Sequence, residues 1–243
     1  MDTIKIKAGQ TKMIAHRGLS SIERENTCPA FVAAGNRSYF GIETDVHVTR
    51  DGQFVIIHDE TTGRVCQGEV DIDVENNDYT LLESIVLPDL DGSKTRRDIR
   101  IPLLDEYVSI CKKYEKTCVL EIKNHFEPSD LQRLVERIRA LDYIEHVIFI
   151  SFDFDNCVNV RKLLPQNSVQ WLIVNQEINA EMASKLREHR LDLDAHHKYV
   201  RAQDVALLHD NGIKINCWTC DDSAEAESLI ACGVDFITTN ILE

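Results

Sequence analysis

The sequence has few of the residues that break regular structure, since its 243 positions include only 10 Gly and 5 Pro. This composition excludes the long flexible linkers and low-complexity tracts that are rich in such residues. No run of 18 or more apolar residues is present, so no integral membrane segment is predicted. The first ten residues also lack the apolar run of a secretory signal, and we expect a cytoplasmic protein.

Disulfide spacing is absent as well. The eight cysteines are scattered through apolar segments without the regular intervals of a disulfide framework. In a chain of this length without an export signal, such cysteines are typical of reduced thiols in the core.

Positive charge is scarce, with 27 Lys and Arg against 41 Asp and Glu and a formal net charge of −14. An acidic chain repels phosphate backbones, so nucleic acid is not an expected partner. A small anionic substrate would meet the same repulsion. The site for such a substrate would therefore need local positive charge from Arg, Lys or a metal ion.

Short apolar runs that predict strands alternate with amphipathic stretches that predict helices. The eight candidate strands are 12–16, 41–47, 118–123, 146–151, 168–174, 191–195, 213–218 and 234–238. The candidate helices are 27–37, 103–114, 129–141, 153–164, 179–189, 202–210 and 223–232. This alternation predicts an α/β protein with a parallel sheet, and eight units in this length predict one (β/α)₈ TIM barrel over 1–243. An open doubly wound sheet is the alternative, but no Gly-rich phosphate loop follows the first strand.

One connection departs from the alternation. Asp51-Gly52 separates two apolar runs and predicts a hairpin, which would place Asp45 opposite His58 to within one residue. The following segment, 59–100, contains 11 acidic and 5 basic residues and is predicted to be an insertion over the C-terminal face of the barrel. It is either an acidic solvated loop or a cap that shapes the substrate site.

Three carboxylates are predicted to face the barrel interior. Glu43 and Asp45 are two residues apart on one strand, and Glu121 lies on the next barrel strand. Such charges repel one another unless a cation lies between them, and carboxylate oxygens suit Mg²⁺ or Ca²⁺. The sequence therefore predicts one divalent cation, Mg²⁺ or Ca²⁺, bound by these three residues. Outward, solvated acids are the alternative, as is a structural salt bridge between Glu121 and Lys123.

Further candidate residues stand at strand ends, where barrels place their catalytic groups. Arg17 and Lys123 could hold a phosphate. His16 and His58 could serve as the acid and the base of phosphodiester cleavage. Trp218 could pack against the substrate, or it could be an ordinary core residue.

These residues belong to an ordered set of short motifs. The set comprises Ile14-Ala-His-Arg-Gly18, Glu25-Asn-Thr27, Glu43-Thr-Asp-Val46, Thr49-Arg-Asp-Gly52, Val55-Ile-Ile-His-Asp59, Ile101-Pro-Leu-Leu104, Glu121-Ile-Lys123, Ser151-Phe152, Trp218-Thr219 and Gly233-Val-Asp235. The set resembles the signature of the glycerophosphodiester phosphodiesterase family along nearly the whole chain.

The resemblance implies an enzyme that hydrolyses small-molecule glycerophosphodiesters to an alcohol and sn-glycerol 3-phosphate. It assigns the metal to Glu43, Asp45 and Glu121, acid–base catalysis to His16 and His58, and the phosphate to Arg17 and Lys123. The nucleophile is either water or a neighbouring hydroxyl of the glycerol.

The sequence departs from the family pattern in places. Arg24 replaces a common Pro, Thr238-Thr239-Asn240 replaces a common Thr-Asp, and the usual Leu-x-Arg-Thr-Thr run after His58-Asp59 is missing. None of these departures is predicted to touch the metal or acid–base residues, whereas the last bears on the head group of the substrate.

Three alternatives remain open. One is a lysophospholipase D-like phosphodiesterase with the same site. A second is a non-catalytic barrel that binds phosphodiesters. The third is an unrelated barrel with Lys123 as a Schiff-base lysine, although a lysine beside three carboxylates tends to stay protonated.

Overall fold

Nine strands form a single sheet in the computed structural model, which describes residues 2–243. The strands are β1 (Lys12–Ala15), β2 (Gly41–Val48), β3 (Phe54–Ile56), β4 (Thr117–Ile122), β5 (Val147–Ser151), β6 (Val169–Ile173), β7 (Asp192–His196), β8 (Ile215–Trp218) and β9 (Phe236–Thr239). All except β3 are parallel, and β1 pairs with both β9 and β2. The eight parallel strands therefore close into a barrel, and the prediction of a TIM barrel is confirmed.

Helices follow the barrel strands and cover the outside of the sheet. The α-helices of the described residues are α1 (Cys28–Gly35), α2 (Tyr79–Glu83), α3 (Leu104–Lys113), α4 (Pro128–Ala140), α5 (Phe154–Leu163), α6 (Ala180–His189), α7 (Ala202–Asp210) and α8 (Ser223–Cys232). Each predicted helix is present with bounds within two residues. The cap predicted for α1 is also present, since Thr27 Oγ1 accepts a hydrogen bond from the Ala30 amide. None of the helices in residues 2–243 is long and apolar enough to cross a bilayer.

The two faces of each barrel strand have different environments because side chains alternate along a strand. In β2, Ile42 and Val46 belong to the main core between sheet and helices, whereas Glu43 and Asp45 face the barrel interior. A smaller apolar cluster fills the interior, and its buried members are Ile14, Val119, Ile148, Ile150, Leu172 and Phe236. A polar side chain therefore reaches the barrel interior only from a strand position that points inward.

The predicted hairpin is present between β2 and β3. Gly52 lies in its turn with φ +78°, a left-handed conformation that favours glycine. The Ile57 amide donates to the Asp45 carbonyl at 3.2 Å, so Asp45 lies opposite Ile57 and one residue from His58. This register agrees with the expected pairing and brings His58 to the C-terminal edge of the barrel.

Segment 59–100 is not a bare solvated loop. Together with the ends of the flanking strands it forms its own buried apolar cluster of Val55, Ile57, Val65, Cys66, Val74, Tyr79, Leu82, Ile85, Leu87, Ile99 and Ile101. It also contacts the loop after β1, because Arg24 Nη2 donates to the Val65 carbonyl and Arg64 binds Glu25. The segment is therefore anchored beside the end of the barrel where β1 stops.

Candidate active site

One pocket of about 320 Å³ lies at the C-terminal ends of the barrel strands. It is lined by seven of the eight predicted site residues, His16, Arg17, Glu43, His58, Glu121, Lys123 and Trp218. The eighth, Asp45, is completely buried within 4 Å of Arg17 and Lys123. The grouping follows from topology, since the C-terminal ends of parallel barrel strands meet at one face.

Glu43, Asp45 and Glu121 form a buried carboxylate cluster, with oxygen atoms within 4.8 Å of one another. The alternative that these acids point outward into solvent is therefore wrong. Burial and the charges of Asp45 and Glu121 raise the pKa of Glu43 well above its usual range. Burial and the charge of Asp45 likewise raise the pKa of Glu121 to about 8. A cation among these groups would remove the cost of holding them ionised.

The donor set fits a hard divalent cation. Asp45 Oδ1 is buried and accepts no hydrogen bond from the described residues, so one carboxylate oxygen in the centre of the cluster lacks a partner. All three ligands offer oxygen, which Mg²⁺ and Ca²⁺ prefer. The cluster also lies on strands β2 and β4, which are rigid and directly paired.

Two side-chain cations adjoin the carboxylates. Lys123 Nζ lies 2.7 Å from Glu121 Oε1 and 3.5 Å from Asp45 Oδ1, and Arg17 Nε lies 3.6 Å from Asp45 Oδ2. Although burial opposes it, the charges of Asp45 and Glu121 raise the pKa of Lys123. A protonated amine is not a nucleophile, so this environment argues against a Schiff-base lysine. These two cations supply the local positive charge that an anionic substrate requires on an acidic protein.

His16 is held in one orientation by Asn240. Its Nδ1 lies 2.8 Å from Asn240 Oδ1. The amide of Asn240 is itself fixed, because its Nδ2 donates to Asp221 Oδ2 at 2.6 Å. Nδ1 of His16 must therefore carry the proton, which leaves Nε2 free. Burial and the neighbouring charge of Arg17 lower the pKa of His16 to about 4, so the imidazole is neutral and can accept a proton near neutral pH.

His58 has a carboxylate partner instead. Its Nδ1 lies 2.5 Å from Asp59 Oδ1, and Asp59 Oδ2 accepts a hydrogen bond from Arg64 Nε at 2.6 Å. Burial opposes ionisation of Asp59, but the hydrogen bonds from Arg64 and His58 lower its pKa to about 2. Both histidines thus have Nδ1 engaged by a fixed oxygen acceptor. In both, Nε2 is the atom available for proton transfer.

The loop after β1 requires unusual backbone geometry. Arg17 and Gly18 both have positive φ, and a Cβ on Gly18 would lie 2.7 Å from the backbone of Ala30. This tight turn allows the Arg17 amide to donate to Glu43 Oε2 at 2.8 Å. The glycine in the predicted His-Arg-Gly motif is therefore explained by close packing against α1.

Two residues of the Glu25-Asn-Thr27 motif, to which the sequence assigned no role, contact the predicted site residues. Asn26 Nδ2 donates to Asp45 Oδ2 at 2.7 Å, and Glu25 binds Arg17. The expectation that the departures from the family pattern avoid the acid–base residues was wrong, because Asn240 contacts His16 directly. The 224 residues that separate these two in the chain explain why no local pattern revealed the contact.

Trp218 lines the pocket, and it also packs against the apolar cluster in the barrel interior. Its ring makes edge contacts with Phe152 and His196, with centroids 5.6 and 5.3 Å apart. A second, wider pocket of about 750 Å³ adjoins the first and shares His58, Glu121, Lys123 and Phe152 with it. His58, Glu121 and Lys123 therefore border both pockets, the narrow one of about 320 Å³ and the wide one of about 750 Å³.

Comparison with known proteins agrees with this geometry. Residues 16–243 match the model of the glycerophosphoryl diester phosphodiesterase family. A glycerophosphodiester phosphodiesterase of Caldanaerobacter subterraneus subsp. tengcongensis is 32% identical over 238 residues, which cover 95% of this chain and 94% of that protein.

Two solved structures have the same fold. A phosphodiesterase of Oleispira antarctica, in complex with the product sn-glycerol-3-phosphate, superposes with a TM-score of 0.83 at 23% identity, covering 94% of this chain and 92% of that one. A glycerophosphodiester phosphodiesterase of Parabacteroides distasonis superposes with a TM-score of 0.76 at 26% identity, covering 99% and 94%. The family match and the relative that is 32% identical confirm the resemblance found in the sequence, and the chain belongs to the glycerophosphoryl diester phosphodiesterase family.

Proposed function

We propose that this chain hydrolyses glycerophosphodiesters to an alcohol and sn-glycerol 3-phosphate with one divalent cation, Mg²⁺ or Ca²⁺, held by Glu43, Asp45 and Glu121. The observation that carries the proposal is the buried cluster of three carboxylates beside two cations and two oriented histidines in one pocket. A bound cation would act there as a Lewis acid on a phosphodiester oxygen.

The side chains of the chain have separate roles in this proposal. Arg17 and Lys123 bind the phosphate oxygens and stabilise the charge that develops on them. His16 lines only the narrow pocket, whereas His58 lines both pockets. If the glycerol lies in the narrow pocket and the alcohol in the wide one, His16 Nε2 takes the proton from the nucleophile. His58 must then enter the step doubly protonated, with Nδ1–H on Asp59, so that Nε2 can donate a proton to the oxygen of the leaving alcohol.

Segment 59–100 contributes to the wide pocket in this proposal. Asp59, Glu60 and Thr61, at its beginning, line that pocket together with Asp153. We therefore propose that the segment is an insertion that shapes the space for the leaving alcohol, on a single barrel domain. Trp218 and Phe152, whose rings are in edge contact, would bound the substrate with an apolar surface.

The test is turnover with defined substrates and metals. Purified protein is incubated with glycerophosphocholine or glycerophosphoethanolamine in Mg²⁺, Ca²⁺ or EDTA, and released glycerol 3-phosphate is measured. We expect release with a divalent cation and none with EDTA. Activity on micellar lysolipid alone would favour the lysophospholipase D-like alternative. Binding of glycerophosphocholine without turnover under any condition would favour a non-catalytic barrel.

A further inference from the structure

A second polar cluster lies inside the barrel, across from the charged residues. It consists of Gln170 on β6, Asp194 on β7, Asn216 on β8 and Thr238 on β9, all buried. Asn216 is at its centre. Its Nδ2 donates to Asp194 Oδ2 at 3.1 Å and lies 3.4 Å from Gln170 Oε1, and its Oδ1 accepts from Thr238 Oγ1 at 3.2 Å. Both N–H groups of Asn216 are thus used, and the side chain holds its neighbours in place.

The cluster has unused hydrogen-bonding capacity. Asp194 Oδ1 and Gln170 Nε2 are buried and have no hydrogen-bond partner among residues 2–243. Buried polar groups in folded proteins are rarely left without one. Both N–H groups of Asn216 are already engaged, so Asn216 cannot donate to Asp194 Oδ1. A hydroxyl group of a ligand in the pocket would supply the missing partner of Asp194.

Asp194 borders the narrow pocket, which it lines with Thr238, Ile150, Leu172 and Trp218. This wall carries no Arg or Lys, in contrast to the wall that contains Arg17 and Lys123. Burial, and after it the charge of Glu121, raise the pKa of Asp194 well above its usual range, which favours the protonated carboxyl group, a hydrogen-bond donor as well as an acceptor. A neutral donor and acceptor among carbon surfaces fits an uncharged hydroxyl group better than an anion or a cation.

We propose that Asp194 is a specificity-determining residue that hydrogen-bonds a free hydroxyl of the group retained on the phosphate after cleavage. The inference rests on the proposed function, in which that group is glycerol. Asn216 is a positioning residue that fixes the carboxyl group of Asp194. The charged wall would then recognise any phosphodiester, while Asp194 restricts turnover to diesters whose retained group carries hydroxyls.

The physical basis of this selection is the cost of an unpaired polar group. A retained group without hydroxyls would occupy the pocket but leave the carboxyl of Asp194 without a hydrogen-bond partner. Sites built to bind a hydroxyl reject analogues that lack it far more strongly than apolar pockets reject a missing methylene.

The test uses two diesters with the same leaving group. One is the p-nitrophenyl ester of sn-glycerol 3-phosphate, and the other is n-propyl p-nitrophenyl phosphate, which lacks both glycerol hydroxyls. For the wild type we expect kcat/KM to be on the order of 10²-fold higher for the glycerol ester. Asp194→Leu should lower kcat/KM for the glycerol ester to the level of the propyl ester. The propyl ester should be hydrolysed faster than by the wild type, because no carboxyl is left unpaired, and this gain also shows that the variant is folded.

The conservative variant provides the matched control. Asp194→Asn keeps a donor and an acceptor and should retain most of the discrimination. If Asp194→Leu does not fold, Asp194→Ala removes the carboxyl without added bulk and gives the same comparison.

The possible failures are distinguishable. A wild type that hydrolyses both esters equally, or an Asp194→Leu variant that loses both equally, would overturn this inference and leave the proposed function standing. In the second case Asp194 would have only a structural role. A wild type that hydrolyses neither ester would overturn the proposed function and this inference with it.

Discussion

The two sides of the narrow pocket are built from the same type of strand end but carry different chemistry. Strands β1, β2 and β4 contribute carboxylates, guanidinium, ammonium and imidazole groups, whereas β6 to β9 contribute amides, a hydroxyl, an aromatic ring and one neutral carboxyl. Buried carboxylates occur on both sides. The side with cations keeps Asp45 ionised, because Lys123 and Arg17 outweigh its burial and lower its pKa. On the side without cations, burial raises the pKa of Asp194 well above its usual range.

This difference shows that neighbours rather than residue type decide the role of a buried acid. Asp45 and Asp194 are both almost completely buried and occupy interior positions of barrel strands. Only Asp45 has a cation within 4 Å among the described residues. The same residue type can therefore bind metal on one side of a pocket and act as a neutral hydrogen-bonding group on the other.

The largest effect on turnover is expected from substitution of Asp45, at the centre of the charged side. Asp45→Asn should lower kcat/KM by about 10³ or more, because the cation it helps to hold contributes several kcal/mol to transition-state stabilisation. A second readout does not depend on activity. Saturating Ca²⁺ or Mg²⁺ should raise the melting temperature of the wild type by several degrees and leave that of Asp45→Asn unchanged. An equal cation response in both proteins would place the ion elsewhere.

Substitutions of the two histidines should differ in how strongly their effect on turnover depends on the leaving group of the substrate. His58→Ala should lower turnover of glycerophosphocholine by about 10²–10⁴-fold but have little effect on the p-nitrophenyl ester of glycerol 3-phosphate, whose leaving group needs no acid. His16→Ala should be impaired with both substrates. The reverse pattern in steady-state rates would exchange the assigned roles of the acid and the base.

Asn240 links the ends of β1 and β9 and should have a smaller effect on turnover. Asn240→Leu removes the acceptor that fixes the His16 tautomer, so we expect kcat to fall by about 10–10²-fold with little change in KM. Asn240→Asp, which keeps an acceptor at the same place, is the matched control. An unchanged kcat in Asn240→Leu would mean that the hydrogen bond does not orient His16 during turnover.

The smallest expected effects are on stability, and they should have opposite pH dependence on the two sides. Hydrogen bonds and charges from Arg64 and Arg17 outweigh burial and lower the pKa of Glu25 to about 2, so its stabilising contribution is present above its ordinary pKa and is lost as pH falls towards 2. Glu25→Gln should thus cost about 1–3 kcal/mol at pH 6 and little near pH 2.

The raised pKa of Asp194 has the opposite consequence. The folded state binds a proton that the unfolded state releases above its ordinary pKa, so Asp194 reduces stability increasingly as pH rises from about 4. Asp194→Asn should therefore stabilise the protein more at pH 7 than at pH 4. Urea unfolding between pH 2 and 7 checks both variants, and parallel pH profiles would contradict the contrast between the two sides.

The sequence predicted the charged side much better than the neutral side. Glu43 and Asp45 are two residues apart on a recognisable strand, so strand parity alone predicts that they share a face, and His58 followed from the hairpin register. Asp194 lies in Leu-Asp-Leu-Asp-Ala, a stretch without a motif, and its hydrogen-bond partner Asn216 comes from another strand, 22 residues distant. Its role depends on contacts that only the closed barrel creates.

The fold was predictable for a similar reason, and segment 59–100 was not. Barrel strands and helices have local periodicity that marks their bounds to within about two residues. The apolar residues of the segment, such as Val65, Val74 and Leu82, follow no regular interval. They pack together because of contacts between distant positions, which a local pattern does not contain.

The most direct test of the account is phosphorus NMR of glycerophosphocholine incubated with the wild type and with Asp45→Asn, each with Mg²⁺, Ca²⁺ or EDTA. The account predicts conversion of the diester signal to that of sn-glycerol 3-phosphate only for the wild type and only with a divalent cation. An unchanged diester under all conditions, conversion in EDTA, or appearance of phosphocholine instead would contradict it.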